Sequence, residues 1–360
     1  MSKSVYAVIK GTGSYIPNKK VKNSDFLKNQ FYQPDGNSFT KSNHEITKKL
    51  KEITDITERR YVTDDLVTSD IAYFAAGNAL KSSGIDGETL DYIIVAHNFG
   101  DIASENRHSD FVPTLASRVK HKLGIQNPGC IPYDLPFGCP GWLQGMIQAN
   151  YYIKSGDAKR VMVIGSETLS RISDPHDRDC MIYSDGAGAT IVEALESDEE
   201  VGILTHSVRN DSVDQAFMLR MSQSFNPEYT GDEIYLKMDG HKLYQYALRH
   251  VPQVVKDSID KAGLSIKDIN KVLIHQANAK MDEAILRRTF SLYDINDIPD
   301  DIMPMTISWL GNSSVATIPT LLDLISKEKL DGHHLQPKSN IVFASVGAGM
   351  NINSVVYRIP

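Results

Sequence analysis

Short apolar runs punctuate the chain: YIIVAHN (92–98), RVMVIGSE (160–167), KVLIHQAN (271–278) and SNIVFASV (339–346). Each is rich in β-branched residues and nearly continuously hydrophobic, as a strand covered on both faces must be. Helical patterns lie between them, and this rhythm predicts an α/β architecture. The amino-terminal MSKSVYAVIKGTG alternates and halts at glycines, which predicts a first strand. One helix stands apart. PGWLQGMIQANYYIKSG (140–156) has no charge before Lys154, so it is expected to be buried nearly all round. Pro140 suits its first turn and Gly156 its carboxyl end.

The pattern also repeats. SSGIDGETLDYIIVAHN (82–98) matches KAGLSIKDINKVLIHQAN (261–278), and SDGAGATIVEA (184–194) matches SVGAGMNINSVVY (345–357). FGCPGW (137–142) and LGNSSV (310–315) fall between these landmarks in the same order. The chain is therefore expected to hold two duplicated halves, 1–195 and 196–360, meeting in the charged stretch EALESDEEVG (193–202). Packed about a pseudo-twofold axis, they would set Cys139 opposite Asn312. A narrower reading, in which the repeated glycines serve packing alone, stays open.

Composition narrows the function classes. With 41% hydrophobic and 23% charged residues in 360, the chain has material for a large core. A net charge of −7 and the lack of a long Lys/Arg block argue against a nucleic-acid surface. No apolar run is long enough to span a membrane or to serve as a signal peptide. Three cysteines, Cys130, Cys139 and Cys180, are too few for a disulfide framework, which points to the reducing cytoplasm.

Candidate chemistry centres on Cys139, placed to cap the buried helix. The dipole and free N–H groups there favour thiolate, so its pKa is expected below the usual value of about 8.5. A small buried hydrophobe is the alternative. His275 ends a strand, where α/β sheets gather reacting groups. Asn312 starts another helix and could equally be an N-cap.

With those residues stand GCPGW, MDGHKLYQYAL (238–248), HQAN (275–278), GNSSVATIP (311–319), the terminal GAG (347–349) and SDPHDRDCMIYSDGAGA (173–189). In order and over nearly the whole chain, they resemble the β-ketoacyl-ACP synthase III branch of the thiolase superfamily. The resemblance implies a five-layer αβαβα fold from two halves, a homodimer, and a catalytic set Cys139, His275 and Asn312 without metal or redox cofactor. It implies an acyl thioester, on CoA or on acyl carrier protein (ACP), that acylates Cys139, followed by decarboxylative condensation with malonyl-ACP. Backbone N–H groups of Cys139 and Ala348 would form an oxyanion hole; the family usually has glycine at the second position. Arg178 matches a CoA-contacting arginine, and Lys280, Arg287 and Arg288 match a carrier-docking face, while a further lysine of that pattern is Gln245 here.

Two stretches depart from the family. EITKKLKEITDITERRYV (45–62) lacks the tryptophan that helps hold adenine, and HNFGDIASENRHSDFVPT (97–114) is longer and more polar than usual. Glu105 in that loop keeps a rival open: condensation without decarboxylation, or acyl transfer to another acceptor. A non-catalytic carrier-binding partner is the third reading. GTGSYI (11–16) and SDGAG (184–188) are expected to be turns, and His333–His334 lacks spaced partner ligands.

Overall fold

The computed structural model describes residues 4–360; residues 1–3, where the expected first strand and first half begin, lie outside the described residues. The chain opens with β1 (Ser4–Tyr15), β2 (Lys19–Lys22), α1 (Asn43–Thr54), β3 (Glu58–Tyr61), α2 (Thr68–Ser83) and β4 (Tyr92–His97). There follow α3 (Leu115–Leu123), β5 (Ile131–Pro136), α4 (Gly141–Ser155), β6 (Arg160–Thr168) and β7 (Asp185–Ser197). Next come β8 (Gly202–Asn210), α5 (Ser212–Gln215), β9 (Leu219–Ser222), β10 (Tyr235–Met238), α6 (Gly240–Lys261) and β11 (Ile269–Ile274). The last elements are α7 (Ala279–Ser291), α8 (Ile307–Leu310), α9 (Thr317–Ser326), β12 (Asn340–Gly347) and β13 (Asn351–Arg358). Among the described residues no helix is long and apolar enough to cross a membrane.

Two sheets share one plan. The first has the order β1-β7-β6-β4-β5 and the second β8-β13-β12-β11. In each, two neighbouring strands are parallel (β4 with β6, β11 with β12) and the next two pairings are antiparallel. β7 runs to Ser197, inside the stretch 193–202 where the halves were expected to meet. The four apolar runs form β4, β6, β11 and β12, and Gly156 closes α4 at φ 81°.

Helices α2 and α3 cover the outer face of the first sheet, burying Ile71, Ala75, Leu115 and Val119. Helices α6 and α7 cover the outer face of the second with Val251, Val255, Ile285 and Phe290. Between the sheets lie α4 and α9, whose Trp142, Met146, Ile318 and Leu321 pack with Val163 and Phe343. The result is the five-layer αβαβα arrangement. Trp142 of α4 meets Phe343 of β12 edge-on, with centroids 5.7 Å apart. Polar bonds tie the layers as well: Asp323 of α9 accepts from Thr12 and Ser14 of β1, and the Ile9 N–H donates to Tyr357 Oη.

Two expected turns are strand instead. Gly13 lies inside β1, because α2 crosses so closely that a Cβ there would fall 2.2 Å from the Ala75 carbonyl oxygen. Gly188 lies inside β7 against Pro319 and Thr320 of α9 for the same reason. Close approach of backbones, not a reversal of the chain, is what these glycines permit.

Gly165 of β6 bears most directly on the site, since a Cβ would sit 2.2 Å from the Val315 carbonyl oxygen. Gly165→Ala is expected to push the segment 312–316 away from the sheet and cost about 1–3 kcal/mol. Urea unfolding of the two proteins checks this, with a fall in midpoint at unchanged slope as the expected result.

Candidate active site

Cys139 lies where β5 hands over to α4. Gly138 turns the chain at φ 74°, the Gly141 N–H donates to the Gly138 carbonyl at 2.9 Å, and Pro140 is the N-cap. Cys139 thus precedes the cap by one residue rather than being it, because proline, with no N–H to lose, takes that place. Opposite stands the turn after β12. A Cβ on Gly347 would lie 2.6 Å from the Cys139 nitrogen, and one on Gly138 would lie 2.8 Å from the Ala348 nitrogen. The two backbones touch, and the amides of Cys139 and Ala348 lie on one small surface. Left-handed backbone in this turn falls on Gly349 and Met350, so alanine at 348 is unstrained.

His275 is the first residue past β11, and its N–H donates to the Ala344 carbonyl at 2.8 Å. It is 4% exposed, its Nδ1 has no partner, and burial draws its pKa down to about 4. The imidazole is therefore neutral above that pH. Asn312 is held by its backbone to Ile182 and Ser184, and its Oδ1 accepts the Ser314 N–H at 2.8 Å. The side-chain oxygen caps the turn leading into α9, which leaves the amide hydrogens for the cavity. Capping, one of the two alternatives in the sequence, thus occupies only the oxygen end of the amide.

Cys139, His275, Asn312 and Ala348 line a single cavity of about 230 Å³, walled by apolar groups including Phe99, Leu169, Leu219 and Leu243. Burial pushes the Cys139 thiol up to about 11; the Ser314 hydroxyl opposes the rise and the Glu167 charge adds to it. This overturns the expectation of a depressed pKa: loss of water around the sulfur outweighs the favourable helix terminus. At rest the pair is thiol and neutral imidazole. Cys130 and Cys180 are buried, with burial raising both thiols, whereas Cys139 is partly exposed.

Glu167 was not singled out in the sequence. It is 1% exposed at the end of β6, and burial raises it to about 7. Asn98 Nδ2 donates to it at 2.5 Å. The signal was present: a carboxylate ending an apolar run sits at a strand's carboxyl end, just as His275 does. Glu105, by contrast, is exposed and lines neither cavity described here.

A second cavity of about 570 Å³ shares Met238, Leu243, Ala277 and Met281 with the first. Arg178 lines it with its guanidinium over the Phe39 ring, 5.1 Å from the centroid. Asn278, the N-cap of α7, lies on its rim. Lys280, Arg287 and Arg288 are exposed along that helix. Arg288 differs from the other two, since its Nη1 donates to the Leu248 carbonyl at 2.9 Å and so braces α7 against α6.

Known proteins share this arrangement. Residues 133–212 match the family model 3-oxoacyl-[acyl-carrier-protein (ACP)] synthase III, and residues 259–359 match the model of its C-terminal part. A β-ketoacyl-[acyl-carrier-protein] synthase III from Xanthomonas campestris pv. campestris is 31% identical, over 99% of this chain and 100% of its own length. One from Neisseria meningitidis serogroup A is 31% identical over 98% and 99%. Among solved structures, the synthase III of Pseudomonas aeruginosa PAO1 superposes with a TM-score of 0.80 at 26% identity, covering 99% of this chain and 98% of that one. That of Thermus thermophilus gives 0.79 at 28%, over 98% and 99%. The chain belongs to the β-ketoacyl-[acyl-carrier-protein] synthase III family and is, with it, an acyltransferase of the condensing type.

Proposed function

We propose that Cys139 carries the acyl group and that His275 and Asn312 serve the carbon–carbon bond that follows. The observation behind this reading is the convergence of all three on one apolar cavity that also holds the Cys139 and Ala348 amides. An acyl thioester enters through the larger cavity, and Cys139 Sγ attacks its carbonyl. Neutral His275 is the base within the cavity available to take the thiol proton as the S–C bond forms. The two backbone N–H groups hold the oxyanion, and the carrier thiol leaves. Malonyl-ACP then loses CO2, and charge moves onto its thioester oxygen. Side-chain N–H groups of His275 and Asn312 stabilise that enolate, each worth about 2.7–4 kcal/mol by the usual scale for such donors. Attack on the acyl-enzyme gives β-ketoacyl-ACP and frees the sulfur.

Only the chain's own groups and two thioester substrates enter this scheme, so we assign it no cofactor. The partner is an acyl carrier protein, met by Lys280 and Arg287 beside the larger cavity, with Arg288 holding the helix they stand on. Arg178 and Phe39 offer a cationic and aromatic platform for a CoA donor in place of the missing tryptophan. We read residues 1–195 and 196–360 as halves that each supply part of the site. We further propose a homodimer, favoured by the exposed apolar pair Phe111 and Val112, working in the cytoplasm in fatty acid biosynthesis.

Labelled CO2 release and acyl-enzyme mass separate the roles. Cys139→Ala should abolish acylation yet keep some decarboxylation of malonyl-ACP. Asn312→Ala should still acylate, slowed only by loosening of the turn that holds Ser314, while decarboxylation falls by about 10²–10³. Decarboxylation at the parent rate in Asn312→Ala would return that residue to a helix cap. The docking face is tested with Lys280→Glu and Arg287→Glu, leaving Arg288 in place. The KM for malonyl-ACP should rise while self-acylation from a CoA donor stays intact, because charge acts on encounter.

A further inference from the structure

From Cys139, along the wall of its own cavity, runs a short chain of hydrogen bonds. Ser314 Oγ lies 3.3 Å from Cys139 Sγ, Asn98 Nδ2 lies 3.3 Å from Ser314 Oγ, and the same Nδ2 donates to Glu167 Oε2 at 2.5 Å. The direction of each bond follows from chemistry. In its ionised form Glu167 only accepts, and Asn98 then turns its NH2 toward it. The second hydrogen of that NH2 then points at Ser314 Oγ, which becomes an acceptor there. Ser314 has one hydrogen, and it is left to the sulfur.

The backbone of Ser314 adds an independent observation. It sits at φ 52°, left-handed backbone that serine rarely adopts and glycine adopts freely. Strain of this kind persists where the surroundings impose it, and here it carries a hydroxyl to the nucleophile. Its N–H is already held by Asn312 Oδ1, so one turn fixes both residues.

We propose that Ser314 is a further catalytic group whose hydroxyl donates to Cys139 Sγ, with Asn98 and Glu167 as its positioning residues. The inference rests on Cys139 being the nucleophile. Sulfur carries negative charge twice per cycle: as the thiol proton passes to His275, and again when the C–S bond breaks on transfer of the acyl group to the enolate carbon. A hydrogen bond to that anion is charge-assisted and stronger than one to the thiol or thioester. In a pocket that raises the thiol by burial, it offsets part of the cost. Ionised Glu167 works against the thiolate through its charge; His97 of β4 favours that ionised form and Asp185 of β7 opposes it. Its contribution is to hold the Asn98 amide.

The test is iodoacetamide alkylation against pH, with the label located by peptide mass. Ser314→Ala and Ser314→Gly should each slow labelling of Cys139 about tenfold at fixed pH, an upward shift of about one pH unit in the thiol titration. The glycine variant relieves the backbone strain, so it keeps the test informative if the alanine variant folds poorly by near-ultraviolet circular dichroism. Asn98→Ala should shift the profile in the same direction, and should give no further upward shift in the Ser314→Gly background, since its other effect, easing the charge of Glu167, works the opposite way. Unshifted profiles in both Ser314 variants, or an additive effect of Asn98→Ala, would overturn the proposal. Labelling at another cysteine would instead overturn the assignment of the nucleophile.

Discussion

The backbone of Gly347 lies so close to the Cys139 nitrogen that no side chain fits between them. Much of the site depends on that contact. It brings the start of α4, from the first half, against the end of β12, from the second, and sets two amides side by side. Gly165 beneath the Val315 carbonyl makes the equivalent approach a few residues away. Side chains cannot mediate packing this tight, so the position of each half is dictated by the other's main chain. Trp142 against Phe343 and the Asp323 bonds to β1 then lock the layers around it.

Burial at this junction has a chemical consequence. Removing water penalises charge, which raises the Cys139 thiol and Glu167 and lowers His275, so the thiol and the imidazole rest uncharged. A neutral resting state suits a reaction in which charge appears only in passing, on an oxyanion, an enolate and a departing sulfur. Donors already aimed at those positions need no reorganisation when the charge arrives. The helix terminus beside Cys139 remains one such donor set even though it does not ionise the thiol at rest.

On the proposed reading the two cavities divide recognition from reaction. The smaller is apolar and holds Cys139, His275 and Asn312, while the larger carries Arg178, Asp179 and His241 on its walls. Met238 and Leu243 belong to both, so an acyl group and its carrier arm can occupy the two together. Helix α7 joins its N-cap at the rim to an exposed basic face, and Arg288 secures that helix to α6.

Local pattern alone determined a good deal of this. Continuous apolar runs marked β4, β6, β11 and β12, an uncharged stretch marked the helix between the sheets, and repeated landmarks marked two similar halves. Periodicity put Cys139, His275 and Asn312 near the ends of regular elements, but each was weak alone, and it was the resemblance to the family that joined them into one candidate set. The glycines of β1 and β7 were not readable, since a residue without a side chain looks alike in a turn and beneath a crossing helix. The direction of the Cys139 shift was not readable either: it is set by how much water the folded halves exclude, and the sequence shows only the nearby helix start. Asn98, Glu167 and Ser314 come from β6 and two loops far apart in the chain. Their hydrogen bonds exist only because the tertiary structure closes these segments around one sulfur, where each buried polar group must find a partner.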